Sequence, residues 1–272
     1  MLIPFFIQII YDEKNSIFLS SAFITSFIGI LLLLTNLEEN RKLNLQQAFL
    51  LTTLSWLSVA IFGSLPFLLS DLNLSIVDSI FESMSGITTT GSTIITNLND
   101  APKSILFWRA LLQWLGGIGI IVMAITILPL LNIGGMQLFR MENTDTTEKI
   151  LPRTREITLI ISTVYLSLTL LCTVSYWAVG MNFFDSVAHA MTTIATGGFS
   201  TYTESIGYFQ NAKIETVSII FILSGSIPFV TYLKFVKGDK KIFFNDAQIK
   251  GLVYMLLFSV LFMFLYLIIN NN

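Results

Sequence analysis

Six apolar runs, at 17–35, 45–69, 105–131, 157–179, 215–236 and 249–270, divide the chain, and its charged positions gather in the short stretches between them. At 1.5 Å per helical residue each run is long enough to cross a hydrocarbon layer of about 30 Å, so the pattern predicts an all-α membrane protein with six spans. The opening segment Met1–Ile10 is also apolar but carries Pro4 and stops after about ten residues, which predicts half a helix. It lacks the basic start and small-residue cleavage pattern of a signal peptide. Gly225 and Pro228 interrupt the run 215–236 and predict a kink there.

The second and third runs, and again the fourth and fifth, are separated by outer segments that share one motif. Asp78 to Gly91 read DSIFESMSGITTTG and Asp185 to Gly198 read DSVAHAMTTIATGG, matching at Asp78/Asp185, Ser79/Ser186, Met84/Met191, Ile87/Ile194, Thr89/Thr196 and Gly91/Gly198 with a constant offset of 107. Ser75 to Ile87 and Asn182 to Ile194 predict half-helices of about 18 Å, which reach only partway through a bilayer. Asp78 and Asp185 then fall near the first turn, where the helix dipole favours a carboxylate, and the negative ends point inward. The chain that follows, Thr88–Gly91 and Ala195–Gly198, is non-helical backbone at membrane depth, tolerated where protein buries it or a water-filled cavity receives its carbonyls.

Glycine at Gly91 and Gly198 permits the positive φ needed to aim successive carbonyls one way. Threonine adds hydroxyls that hold extended chain. Such neutral oxygens suit a large, easily dehydrated monovalent cation, whereas Mg²⁺ and transition metals call for carboxylate, imidazole or thiolate clusters. Ordinary outer turns also use Thr and Gly, but two copies in matching topology favour an ion pathway built by pseudo-symmetry.

Composition agrees: 54% of residues are hydrophobic, 12% are charged, and the net charge of −2 hides a polarised chain. Eleven of the fifteen basic residues lie in three loops: Arg41 and Lys42; Arg140, Lys149, Arg153 and Arg155; Lys234, Lys237, Lys240, Lys241 and Lys250. By the positive-inside rule those loops are cytoplasmic and the Thr/Gly segments face outward. The loops are short and mixed with Asp and Glu, which argues for topology over nucleic-acid binding. Cys172, the single cysteine, sits inside a span and can form no intrachain disulfide.

FESMSGITTTGST (81–93), FWRALLQWLGGIGIIVMAITILPLLNIGGMQLFRMEN (107–143), LPRTRE (151–156) and ATGGFSTYTESIGYF (195–209) resemble the signatures of the Trk/Ktr potassium uptake superfamily, and most the TrkH-type membrane subunit. The resemblance implies tandem units of helix, pore helix, filter loop and helix around one pore. It implies K⁺-coordinating carbonyls at Thr89, Thr90 and Gly91 and at Thr196, Gly197 and Gly198, with Thr88 and Ala195 in support. It further implies no covalent chemistry, no cofactor, K⁺ as the transported ion, a cytosolic nucleotide-binding regulatory subunit as partner, and a bacterial cytoplasmic (inner) membrane location.

Family members carry four such units and this sequence two, followed by what resembles the first helix of a third. The expectation is therefore the N-terminal half of a pore, completed by self-association or by a complementary half-chain; the alternative is a non-conducting remnant or assembly element. The domain reading is an N-terminal helical pair (1–44), a first pore repeat (45–131), a cytoplasmic connector (132–156), a second pore repeat (157–236), and a loop with one helix of an incomplete third repeat (237–272).

Other polar residues have plainer readings. His189 is the only histidine and stands opposite Glu82 by the repeat offset, so a proton-relay role competes with simple packing, the commoner fate. Glu82 is a candidate for outer-mouth electrostatics that concentrates cations, or for a structural contact. Trp108 and Arg109 predict an interfacial anchor with a snorkelling arginine. Gly116, Gly117 and Gly119 predict close helix packing. No Ser/His, paired Asp or His/Glu spacing in the spans offers a catalytic centre, so no enzymatic activity is expected.

Overall fold

The computed structural model describes residues 1–13, 16–35, 45–131 and 150–270, and all regular structure among them is helical. An N-terminal pair, α1 (Leu2–Ile10) and α2 (Ile17–Leu34), is followed by α3 (Leu45–Gly63), a single turn α4 (Leu65–Leu68), the re-entrant α5 (Ile76–Ile87) and the long α6 (Lys103–Leu131). The second set comprises α7 (Ile150–Ala178), the re-entrant α8 (Phe183–Ile194), a 3₁₀ turn at Ser205–Phe209, α9 (Ala212–Ser226) and α10 (Phe229–Val236). A short α11 (Ile242–Asn245) leads into α12 (Ala247–Asn270).

Among the described residues, five helical segments are long and apolar enough to cross a membrane: Ile17–Leu34, Phe49–Leu68, Lys103–Met123, Glu156–Ala178 and Ala247–Asn270. The sixth expected span is a bent pair, with α9 and α10 meeting at 83°. That is a break and not a kink. Ile227 is extended at φ −72, ψ 133, as the residue before a proline must be, and Pro228 has no N–H to continue the helix. The half-helix expected over Met1–Ile10 is present, with Pro4 in the first turn, where an N–H has no helical acceptor in any case. Of the connector expected over 132–156, residues 132–149 lie outside the described residues and Ile150 already begins α7, so 150–156 are helical. Arg41, Lys42, Arg140 and Lys149 also lie outside the described residues.

Among the described residues, the two larger apolar cores flank α6. One gathers Phe18, Phe67, Ile105, Trp108 and Leu112, the other Ile161, Tyr165, Cys172, Tyr176 and Ile194, and Trp114 packs against both. In a bilayer the buried polar atoms need protein partners. Tyr176 Oη accordingly lies 2.9 Å from Thr193 Oγ1 and donates to Ser218 Oγ at 2.9 Å, tying α7, α8 and α9. Trp114 Nε1 donates to Thr169 Oγ1 at 3.0 Å, and Tyr165 Oη donates to the Trp114 carbonyl at 2.9 Å, so α6 is fastened to the second repeat. None of the residues of α12 is buried, and its apolar side chains point outward all round, as suits a lipid-facing or partner-facing span.

Candidate functional site

The two re-entrant helices begin alike. Ser75 Oγ accepts from the Asp78 N–H at 3.1 Å while the Asp78 carboxylate accepts from the Ser75 N–H at 3.3 Å, a reciprocal capping box. At the same offset Asn182 Oδ1 accepts from the Asp185 N–H at 2.8 Å. Both carboxylates thus sit at the positive helix end.

They also end alike, with three matching bonds. After α5 the N–H groups of Thr88, Thr89 and Thr90 donate to the carbonyls of Met84, Gly86 and Ser85 at 2.9, 3.0 and 3.0 Å. After α8 those of Ala195, Thr196 and Gly197 donate to Met191, Thr193 and Thr192 at 3.2, 3.0 and 2.9 Å. This is a Schellman termination, whose left-handed residue is ordinarily glycine. Here it is threonine in both copies, Thr89 at φ 55 and Thr196 at φ 51. Such strain costs on the order of 1–3 kcal/mol and persists only where surrounding contacts enforce it. Gly91 at φ 80 and Gly198 at φ 83 supply the second turn, as their residue type predicts. Sequence reasoning missed the two left-handed threonines, because nothing in the residue type signals that conformation.

A trans peptide sets its N–H and C=O in opposite directions. Since the N–H groups of Thr90 and Gly197 point back at their helices, the carbonyls of Thr89 and Thr196 point away from them. Among the described residues no hydrogen bond reaches the carbonyls of Thr89, Thr90, Gly91, Thr196 or Gly198. Thr89, Ala195 and Thr196 line one cavity of about 430 Å³, shared with Tyr165, Pro228 and Phe229. Thr89 of the first loop and Ala195 and Thr196 of the second therefore border one open-sided space beside the α9–α10 break, which Thr90, Gly91 and Gly198 do not line.

The loops also touch each other. A Cβ on Gly91 would lie 2.0 Å from the Gly197 carbonyl oxygen, so only glycine fits there. Gly197 differs from its neighbours: it is buried, and its carbonyl accepts from Gln113 Nε2 at 2.9 Å. It faces the first loop and α6 and not the cavity, a correction to its expected place beside Thr196 and Gly198. Thr88 and Ala195 occupy the C-caps, with Thr88 Oγ1 bonded to the Met84 carbonyl at 2.7 Å and 2.8 Å from Thr90 Oγ1. Gly116 and Gly117 let α6 approach: an added Cβ would meet the Ile87 carbonyl oxygen at 1.9 Å and Tyr165 Oη at 2.8 Å, respectively. Gly119 has only Trp56 nearby, at 3.7 Å.

Behind the loops lies a polar layer. Glu82, fully buried, pairs with Arg109 at 2.7 Å and accepts from the Thr93 hydroxyl at 2.9 and 3.1 Å and from the Ile94 N–H at 3.1 Å. An outer-mouth carboxylate is not what the fold makes of it, because its charge is enclosed and compensated. Arg109 is 1% exposed, donates through Nη1 to the Ser200 carbonyl at 2.8 Å and lies 4.0 Å from the centre of the Phe199 ring. The expected snorkelling anchor is therefore a buried crosslink between repeats, and Trp108 is buried too, donating to the Gly63 carbonyl at 2.9 Å. In the second copy His189 is buried, with Nδ1 2.9 Å from the Asp185 carbonyl and Nε2 3.0 Å from Ser200 Oγ. Asp185 accepts from Thr201 and Tyr202 hydroxyls at 2.6 and 2.8 Å. In that outer segment the Tyr202 phenol is held above its ordinary value, first by loss of water and then by the Asp185 carboxylate.

Spans, re-entrant half-helices and two strained loops meeting at one cavity define a multi-pass membrane protein built from tandem pore-loop repeats. A family model described as "TrkH: Cation transport protein" matches residues 14–270, and the chain belongs to that family. It is 39% identical over 274 residues to the Trk system potassium uptake protein TrkH of Vibrio parahaemolyticus, covering 97% of this chain and 56% of that protein. It is 44% identical over 216 residues to TrkI of Halomonas elongata, covering 79% of this chain and 44% of that protein. The crystal structure of the potassium transporter TrkH from V. parahaemolyticus superimposes with a TM-score of 0.87 at 36% identity, over 98% of this chain and 55% of that one. The chain spans about half the length of these relatives.

Proposed function

We propose that this chain supplies two filter segments of a Trk-type potassium uptake pathway in a bacterial cytoplasmic (inner) membrane, with the filter loops facing outward. Dehydrated K⁺ passes along neutral backbone carbonyls, which replace its water shell without binding it too tightly to leave. The observation that carries this reading is the paired termination of α5 and α8, where Thr89 and Thr196 take the same strained conformation and border the same cavity. The ion-facing set is Thr89, Thr90, Gly91, Thr196 and Gly198, supported by Thr88 and Ala195, and Gly197 serves as the strut between the loops.

A second copy of the chain or a complementary half-chain contributes the remaining carbonyls, and a cytosolic nucleotide-binding regulatory subunit engages the basic face. The matched relatives' names, which describe potassium uptake proteins, support the choice of ion. The test is growth of a K⁺-uptake-deficient bacterium at low external K⁺ with the chain alone, with Gly91→Ser and Gly198→Ser, and with a candidate second half. Rescue that is lost in Gly91→Ser and weakened in Gly198→Ser, with or without the added half, is the expected result. No rescue in any arm, despite confirmed membrane insertion, would replace the proposal with a non-conducting assembly element.

A further inference from the structure

We infer that Gln113, on α6 of the first repeat, is the positioning residue of the second filter loop, so that selectivity at Thr196–Gly198 is set by the preceding repeat. The inference rests on the K⁺ pathway proposed above. It starts from a difference between the two loops. The first is braced by its own re-entrant helix: Ser85 Oγ donates to the Ser92 carbonyl at 2.6 Å, and Glu82 holds Thr93 and Ile94. In the second, Thr192 stands where Ser85 does and turns its hydroxyl to the His189 carbonyl at 3.1 Å, away from the loop. His189 and Asp185 on α8 still hold Ser200 and Thr201, as Glu82 holds Thr93, but the place of the Ser85 bond is taken by α6.

Gln113 is fully buried, and its amide makes two bonds of opposite sense: Nε2 donates to the Gly197 carbonyl at 2.9 Å and Oε1 accepts from the Phe199 N–H at 3.0 Å. Arg109, one helical turn earlier, adds the Ser200 carbonyl at 2.8 Å. The Phe199 N–H belongs to the same peptide unit as the Gly198 carbonyl, and a trans peptide points the two in opposite directions. By drawing the N–H toward α6, Gln113 turns the Gly198 carbonyl away from that helix. By drawing in the Gly197 carbonyl it keeps that oxygen out of the ion path and seated against Gly91. One side chain thus sorts two neighbouring carbonyls into a strut and a ligand. The arrangement has no twin: α6 and α9 begin 109 positions apart, and Gly116 and Gly225 face the Ile87 and Ile194 carbonyls at that same offset, which puts the exposed, apolar Ile222 in the place of Gln113.

The test compares K⁺, Rb⁺ and Na⁺ uptake, in the assembly in which the chain supports transport, for the wild type, Gln113→Met and Gln113→Glu. It adds a Phe199 amide-to-ester replacement, which deletes the N–H and leaves every side chain in place. Gln113→Met and the ester are expected to lower K⁺/Na⁺ discrimination at least tenfold in protein that still inserts. Gln113→Glu keeps an acceptor for Phe199 but offers no donor to Gly197, and is expected to fall between them and the wild type. A purely structural role would lower yield or melting temperature and leave the ratio unchanged. If wild type is K⁺-selective and the ester protein keeps its ratio within twofold, the inference is overturned even should both Gln113 variants fail to fold. A wild type that shows no K⁺-selective uptake would instead overturn the pathway on which it rests.

Discussion

Removing the cation of the Glu82–Arg109 pair tests whether the layer behind the two loops is a single charge-compensated unit. In Arg109→Met the aliphatic bulk is largely kept, but Glu82 loses its 2.7 Å partner and retains only Thr93 and the Ile94 N–H in a site with no solvent exposure. Stranding one member of a buried pair costs about 3–5 kcal/mol, because the remaining charge has neither water nor a counter-ion. At roughly 2–4 °C per kcal/mol for a chain of comparable size, the melting midpoint should fall by about 6–20 °C. The double variant Glu82→Gln/Arg109→Met removes both charges, and Gln still accepts from Thr93 and Ile94, so its loss should shrink to about 1–2 kcal/mol, set mainly by the bond to the Ser200 carbonyl. The second repeat already shows such a joint exchange, with His189 in the place of Glu82 and, because α6 and α9 begin 109 positions apart, Ser218 in that of Arg109. The assay is thermal unfolding in mild detergent followed by tryptophan fluorescence, with both single variants and the double closing a cycle. Equal losses for Arg109→Met and the double variant would refute the reasoning, since they would mean that the stranded carboxylate carries no penalty.

Alanine at the two loop glycines should separate crowding from backbone strain. Gly91→Ala places a Cβ 2.0 Å from the Gly197 oxygen and should abolish uptake, whereas Gly198→Ala meets only the cost of its φ of 83, about 1–2 kcal/mol, and should keep a measurable rate of ⁸⁶Rb⁺ uptake. Tyr176→Phe strips the hydroxyl shared with Thr193 and Ser218 and should destabilise the protein by about 1–3 kcal/mol in the same unfolding assay, with no change in ion preference.

The sequence by itself determined the helical membrane class, because six long apolar runs admit little else in a solvent that offers backbone groups no partners. It also located the re-entrant helices: Ser75 and Asn182 cap them, and Ile87 and Ile194 end them, as the repeat indicates. Local chemistry and length fix those features, and one-dimensional order carries both. Tertiary structure alone decided what the polar residues do. Arg109 beside Trp108 reads as an interfacial anchor until α5 and the second loop are folded against α6, which buries it and provides Glu82 and the Ser200 carbonyl, respectively. Gln113 in an apolar helix carries no local sign of its partners, which lie 84 and 86 positions further along. Thr89 and Thr196 are left-handed against their own preference because the packed helix ends, and not their side chains, set the backbone there. Hydrophobic periodicity is a property of neighbours in sequence. The direction of a carbonyl in the loops after α5 and α8 is a property of whatever long-range partner holds its peptide plane.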